Sequence, residues 1–150
     1  PSGSSMALTA LLRLGNLTGN TKMLEVSEKC LNDQEPVLRM MPASAMQMMI
    51  GLDIYLGPPT QIFIVEGKDS EVFEVALEFV RKAFIPQSVL GAKPKKSNSQ
   101  LIDTIPPLHE KMPIDGRTSF YVCEGFTCDT PLNDFGSFKK LIESKMISRG

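Results

Sequence analysis

Apolar residues recur every third and fourth position through the first third of the chain, then run continuously or alternate after residue 60. Ala7, Leu8, Leu11, Leu12 and Leu14 form one stripe with Arg13 left to solvent. Ser4 or Ser5 is placed to cap that predicted helix and Gly15-Asn16 to stop it. Gly19-Asn20-Thr21 restarts the chain, and Met23, Leu24, Ser27, Cys30 and Leu31 make a second stripe with Glu25, Glu28 and Lys29 outside. The two predict an antiparallel helical hairpin ended by Pro36. Pro42 opens a third predicted helix through Ala45, Met46, Met48, Met49, Ile50, Leu52, Ile54 and Tyr55, apolar nearly all round. A helix of that kind needs cover on several sides, so it is expected to be the seam between the helical part and the remainder of the chain.

The period changes at Gly57-Pro58-Pro59. Gln61-Ile62-Phe63-Ile64-Val65 is a strand-length apolar run, and Asp69 or Ser70 is expected to cap a helix with Val72, Phe73, Ala76, Leu77, Val80 and Phe84 on one face. Ser88-Val89-Leu90 is a short strand candidate that completes a parallel βαβ crossover. Residues 92–100, with Lys93, Lys95 and Lys96 among Pro, Ser and Asn, are expected to form a solvated loop. Pro106-Pro107 starts a helical turn, Asp115-Gly116 turns into a strand from Thr118 to Cys123, and Phe135, Phe138, Leu141 and Ile142 mark a last helix. The expected fold is α+β or α/β: a helical hairpin plus a third helix in residues 1–57, then a small α/β lobe in residues 58–150. That lobe is expected to hold about three strands, mainly parallel.

Composition narrows the function classes. At 42% hydrophobic and 22% charged residues, the 150-residue chain lies clear of the disordered regime. A net charge of -1 argues against a dedicated nucleic-acid surface, which needs clustered basic excess. No apolar run approaches the roughly 18 residues of a membrane span. Three cysteines are too few for a disulfide framework, and low cysteine use leans towards an intracellular setting without fixing the compartment. Asn16-Leu17-Thr18 is formally a glycosylation sequon.

Candidate chemistry is sparse, and no catalytic residue or cofactor is assigned. Cys123 and Cys128 flank a bend that could bring them near enough to pair; the readings are a redox-active or regulatory disulfide, a reversible structural disulfide, and plain buried thiols, with the reduced state expected. A zinc site would need Cys30, Cys123, Cys128 and His109 to converge, and only the Cys123/Cys128 pair is close in sequence, so no metal site is expected. Asp53 interrupts the apolar third helix and either lines a cavity or faces solvent. Ser2 and Ser4 place hydroxyls at a helix N-terminus, a geometry able to hold a polar ligand. Gly67-Lys68-Asp69 lacks the spacing of a phosphate loop and Asp134-Phe135-Gly136 lacks the rest of a kinase signature, so both are set aside.

Several strings, in order along the chain, carry a family resemblance. They are Pro1-Ser2-Gly3-Ser4-Ser5-Met6-Ala7 with Leu11-Leu12-Arg13-Leu14; Ala43 to Asp53; Leu56-Gly57-Pro58-Pro59; Phe84-Ile85-Pro86; Lys111 with Pro113 and Asp115-Gly116-Arg117; and Tyr121-Val122-Cys123 with Phe126-Thr127-Cys128. Together they resemble the C-terminal segment of the spermatogenesis-associated protein 20 family, large proteins that join a thioredoxin-like domain to an α/α six-hairpin toroid of the glycosidase and sugar-epimerase kind. Ser4 stands where the family has Asn. The resemblance implies that residues 1–57 are the last toroid helices, that Ser2 and Ser4 belong to the wall of a carbohydrate-sized pocket, and that the upstream part of the parent chain is the main partner. The family's Cys-His-Trp-Cys motif has no counterpart here, so its redox activity is not expected of these residues. An isolated segment is expected to self-associate. The alternative of a different class is a thiol-responsive interaction module switched by Cys123 and Cys128.

Overall fold

The computed structural model describes residues 2–57, 59–96 and 102–147. Pro1, Pro58 and the far end of the expected loop, residues 97–100, lie outside the described residues. Helices α1 (Gly3–Thr18), α2 (Thr21–Asp33), α3 (Glu35–Met40) and α4 (Met46–Leu56) come first, with a 3-10 turn at Pro42–Ala45. Strand β1 (Thr60–Val65), helix α5 (Ser70–Lys82), strand β2 (Ser88–Lys93), a short helix Pro106–His109, strands β3 (Ser119–Glu124) and β4 (Thr127–Cys128), and a last helix Phe135–Ile147 complete the order.

The helical hairpin forms as the pattern predicts, with three boundaries moved. The cap of α1 is Ser2, and Ser4 and Ser5, the expected caps, lie inside its first turn. α1 continues through Gly15 to end at Gly19, whose φ of 70° closes the helix with its N–H on the Gly15 carbonyl. Gly15 serves packing instead, since a Cβ there would lie 2.7 Å from Leu24 Cδ2. Pro36 does not end the hairpin but sits in the first turn of α3, where its missing N–H costs nothing. Leu8, Leu12, Leu31, Met48 and Ile54 make the helical core.

The sheet has the order β2-β1-β3-β4. β1 and β2 are parallel, as the βαβ pattern requires, but β3 runs antiparallel to β1 and β4 antiparallel to β3. The sheet is therefore mixed rather than mainly parallel: β3 arrives through the tight Asp115-Gly116 turn, with φ of 52° and 71°, and pairs antiparallel to β1. β2 also runs on through Lys93, into what the pattern assigns to loop. All of β1 is buried because both faces of the sheet are covered. Ile62, Ile64, Phe120 and Val122 face α5 and the last helix, with Phe120 stacked on Phe138 at 4.3 Å. Phe63, Val65 and Cys123 face Leu108 and Leu17 on the other side.

Leu17 belongs to α1, so it is α1, not the methionine-rich α4, that carries the helical part onto the sheet. Arg13 donates to the carbonyls of Pro86 (3.0 Å) and Ser88 (3.2 Å), and the buried Gln61 amide donates to the Asn16 carbonyl. The expected burial of α4 against the lobe is overturned: Met46 is 70% exposed and Ile50 49%. Asn16 is buried in this contact, which places the formal sequon away from any solvent-facing acceptor position.

Candidate functional site

A cleft of about 540 Å³ opens between the N-terminus of α1 and the connection from α3 into α4. It exists because the chain between Met41 and Met46 leaves α-helical geometry at Pro42, holding Ser44 and Gln47 across from Ser2 and Ser4. Ser2 and Ser5 form a capping box: the Ser5 N–H donates to Ser2 Oγ (3.2 Å) and the Ser2 N–H to Ser5 Oγ (3.0 Å). Ser4 Oγ lies 3.1 Å from Ser2 Oγ, so the two expected hydroxyls are adjacent. Across the cleft, Ser44 Oγ donates to the Met41 carbonyl (2.8 Å), and Gln47 Nε2 donates to Thr9 Oγ1 (3.0 Å). The rest of the wall is Gln34 and apolar groups such as Val37, Met46 and Ile50. No ionisable side chain is among the described residues that line it.

Ser2 and Ser4 thus share a cleft, and Asp53 does not join them. Asp53 is exposed near the end of α4, where its carbonyl and Oδ2 both accept from Gln87 Nε2, at 3.1 and 3.0 Å. Gln34, Ser44 and Gln47 carry polar capacity that helical periodicity does not reveal. Their one signal was Pro42, read as a helix start, whereas the chain there makes a 3-10 turn before α4 begins at Met46.

Cys123 and Cys128 are bonded to each other, which corrects the expectation of free thiols. The bend between them is tighter than four intervening residues suggest. Glu124 pairs with Thr127 across a two-residue turn, Gly125-Phe126, in which both residues have positive φ, 54° and 67°. That turn sets the cysteines directly opposite in register with a Cα separation of 3.8 Å. Cys30 lies apart, packed on the helical core, and His109 is exposed at the end of its short helix. The four soft ligands of the chain are not brought together.

The C-terminal end of β1 is structural. Gly67 is pressed against the Arg117–Thr118 backbone, where a Cβ would come within 2.0 Å of the Arg117 carbonyl carbon. Asp69 Oδ1 accepts from the Thr118 N–H at 2.7 Å instead of capping α5. Burial pushes the Asp69 carboxyl up, but the Thr118 N–H and hydroxyl outweigh it and hold it below the usual aspartate value. Lys93 Nζ donates to the carbonyls of His109 (3.1 Å) and Lys111 (2.9 Å), and the Lys95 N–H donates to Glu66 Oε2 (2.8 Å). Lys93 thereby leaves the Lys93/Lys95/Lys96 cluster for a structural role. Lys111 Nζ sits 4.7 Å from the Phe63 ring centroid, and burial pushes its amine below the ordinary lysine value. Asp134 accepts from the Ser137 N–H at 2.7 Å, and the Ser137 N–H and hydroxyl together hold its carboxyl low; the Asp-Phe-Gly triplet is a helix cap.

Human spermatogenesis-associated protein 20 is 25% identical over 142 residues, covering 95% of this chain and 18% of the human protein. The chain is similar to spermatogenesis-associated protein 20. The rat protein of that name matches over the same share at 25% identity, and an uncharacterised Caenorhabditis elegans protein is 22% identical over 142 residues, 94% of this chain and 19% of its own. The chain therefore spans about a fifth of the length of the curated relatives it matches. No family model matches the chain. No solved structure matches it. Among the described residues, no helix is long and apolar enough to cross a membrane.

Proposed function

We propose that this chain is the closing segment of a larger protein related to spermatogenesis-associated protein 20. In this reading residues 1–57 are the last helices of an α/α toroid and residues 58–150 a lobe that braces them. The cleft beside Ser2 and Ser4 receives a neutral, hydroxyl-rich small molecule of sugar size. The observation that carries this is the composition of the cleft wall: hydroxyls and amides over apolar surface, with no charged side chain among the described residues. Ser and Gln groups of this kind exchange hydrogen bonds with a polyol without a charge to desolvate, and the volume falls within the roughly 300–1,000 Å³ of small-molecule sites. The described wall offers no general acid or base, so reacting groups come from elsewhere in the parent protein.

The bare apolar side chains of the helical part support the parent-chain partner. Met40 (79% exposed), Met46 (70%) and Leu56 (71%) are surfaces that a packed neighbour would cover, and the relatives are about five times longer than this chain.

The test is an amide-resolved NMR titration of the chain with neutral mono- and disaccharides, alongside sugar phosphates as a charged control. Saturable shifts confined to Ser4, Gln34, Ser44 and Gln47, reduced in Ser4→Val and Gln47→Leu variants, are expected. Absence of saturable shifts with every neutral sugar, or preference for the phosphates, overturns the ligand reading. Co-expression with the preceding part of the parent chain tests the rest: failure to co-purify would remove the toroid reading.

A further inference from the structure

We propose that the Cys123–Cys128 disulfide is a thiol–disulfide exchange site, entered at the Cys128 sulfur by a protein dithiol. The two half-cystines differ sharply in surroundings. Cys123 is 0% exposed and packs with Phe63, Val65 and Leu108 on the inner face of β3. Cys128 is exposed, on a two-residue strand at the edge of the sheet. Exchange requires the attacking sulfur, the attacked sulfur and the leaving sulfur to lie nearly in line. An attacker approaching Cys128 from solvent has Cys123 behind it, whereas an attacker on Cys123 would have to pass through the core.

A partner thiolate forms a bond to Cys128 Sγ, the Cys123–Cys128 bond breaks, and Cys123 leaves with the electron pair and takes a proton from solvent. The partner's second thiol, as thiolate, then attacks the partner's first sulfur in the mixed disulfide; that S–S bond breaks, Cys128 leaves with the electron pair and takes a proton from solvent, and the partner departs as a disulfide. Two electrons pass from the dithiol to the cystine. A monothiol stalls at the first step, because β3 holds Cys123 directly across from Cys128, where it re-forms the original bond at high effective concentration. A dithiol carries its own resolving group and escapes that return.

A protein is favoured over a small dithiol by what surrounds Cys128. Every residue from Glu124 to Thr130 is exposed, and Phe126, 51% exposed with a positive φ of 67°, presents an aromatic ring on the turn that precedes Cys128. The exchange site stands independently of the sugar cleft.

The test uses the full chain with Cys30→Ser to remove the third thiol, and thioredoxin as the Cys-x-x-Cys reagent. Thioredoxin lacking its second cysteine is expected to give a transient mixed disulfide on Cys128, caught by rapid acid quench before Cys123 returns and read by peptide mass spectrometry. Intact thioredoxin is expected to reduce the folded protein faster than glutathione at equal thiol concentration, by roughly tenfold or more, since its second thiol resolves the mixed disulfide that a monothiol only forms and loses. Phe126→Ala is expected to slow thioredoxin while leaving the rate with dithiothreitol unchanged. Trapping on Cys123, reduction only after denaturant is added, or glutathione matching thioredoxin would each overturn the proposal; a Phe126→Ala variant reduced at the parent rate by both reagents would overturn the protein-partner part.

Discussion

At the scale of single residues, hydrogen-bond placement decides more than residue type does. Asp69 looks like a helix cap but ties the loop after β1 to the start of β3 through Thr118. Its folded carboxyl lies below the ordinary value, so its stabilisation is complete above the unfolded pKa of about 4 and is lost as pH falls through the folded value. Asp69→Ala is expected to lower stability by about 1–3 kcal/mol near neutral pH, the range of a hydrogen bond to a charged group plus the donor left bare. The gap between variant and parent should narrow in urea melts taken below about pH 4, and a pH-independent gap would show that the carboxylate charge is not involved. Thr60 is the converse case: fully buried, its Oγ1 has no hydrogen-bond partner among the described residues. Thr60→Val keeps the shape and removes the bare hydroxyl, so thermal denaturation should show a gain of up to about 1 kcal/mol.

At the scale of elements, the β3–β4 hairpin combines a turn that glycine suits with a residue that does not fit it. Phe126 holds the left-handed region at φ 67°, which costs a side-chain-bearing residue roughly 1–2 kcal/mol. Phe126→Gly should therefore stabilise the fold by up to about 1 kcal/mol after glycine's greater unfolded-state entropy is deducted. Calorimetry of the disulfide-bonded variant checks this; a loss of stability would mean that the half-exposed ring packs favourably enough to offset its backbone strain. α1 is the element that joins the two cores, with Leu8 and Leu12 in the helical one and Leu17 against the sheet. The apolar stripe of α1 was legible, but Leu17 lies beyond the Gly15-Asn16 pair that reads as a stop. Its role therefore depended on α1 running on to Gly19.

For the molecule as a whole, the exposed methionine-rich surface sets behaviour in solution. Met40, Met41, Met46 and Leu56, each more than 60% exposed, leave apolar area with no cover from the described residues. Light scattering on a sizing column should show apparent mass rising with loading concentration, and a Met40→Lys/Met46→Lys/Leu56→Lys variant should suppress the rise. A constant monomer mass would mean that these side chains, despite their exposure, do not make an adhesive patch.

Residue order alone was enough for the elements whose pattern has a local cause. It specified the amphipathic α1 and α2, the buried run of β1, the parallel β1–β2 unit, the Asp115-Gly116 turn and the stripe of the last helix, because periodicity and turn chemistry act over a few residues. Ser2 and Ser4 were legible as a helix start, and Cys123 and Cys128 as neighbours across a bend. Tertiary structure decided what depends on partners distant in the chain. It chose α1 over α4 as the bridge, because Arg13 and Asn16 meet groups about 45 to 75 residues away. It made the sheet mixed, since strand direction depends on how the connection travels and not on the strand's own residues. It also opened the cleft, because a concavity belongs to no single segment, and it joined the cysteines, because a two-residue turn with Phe in the left-handed region has no strong local signature.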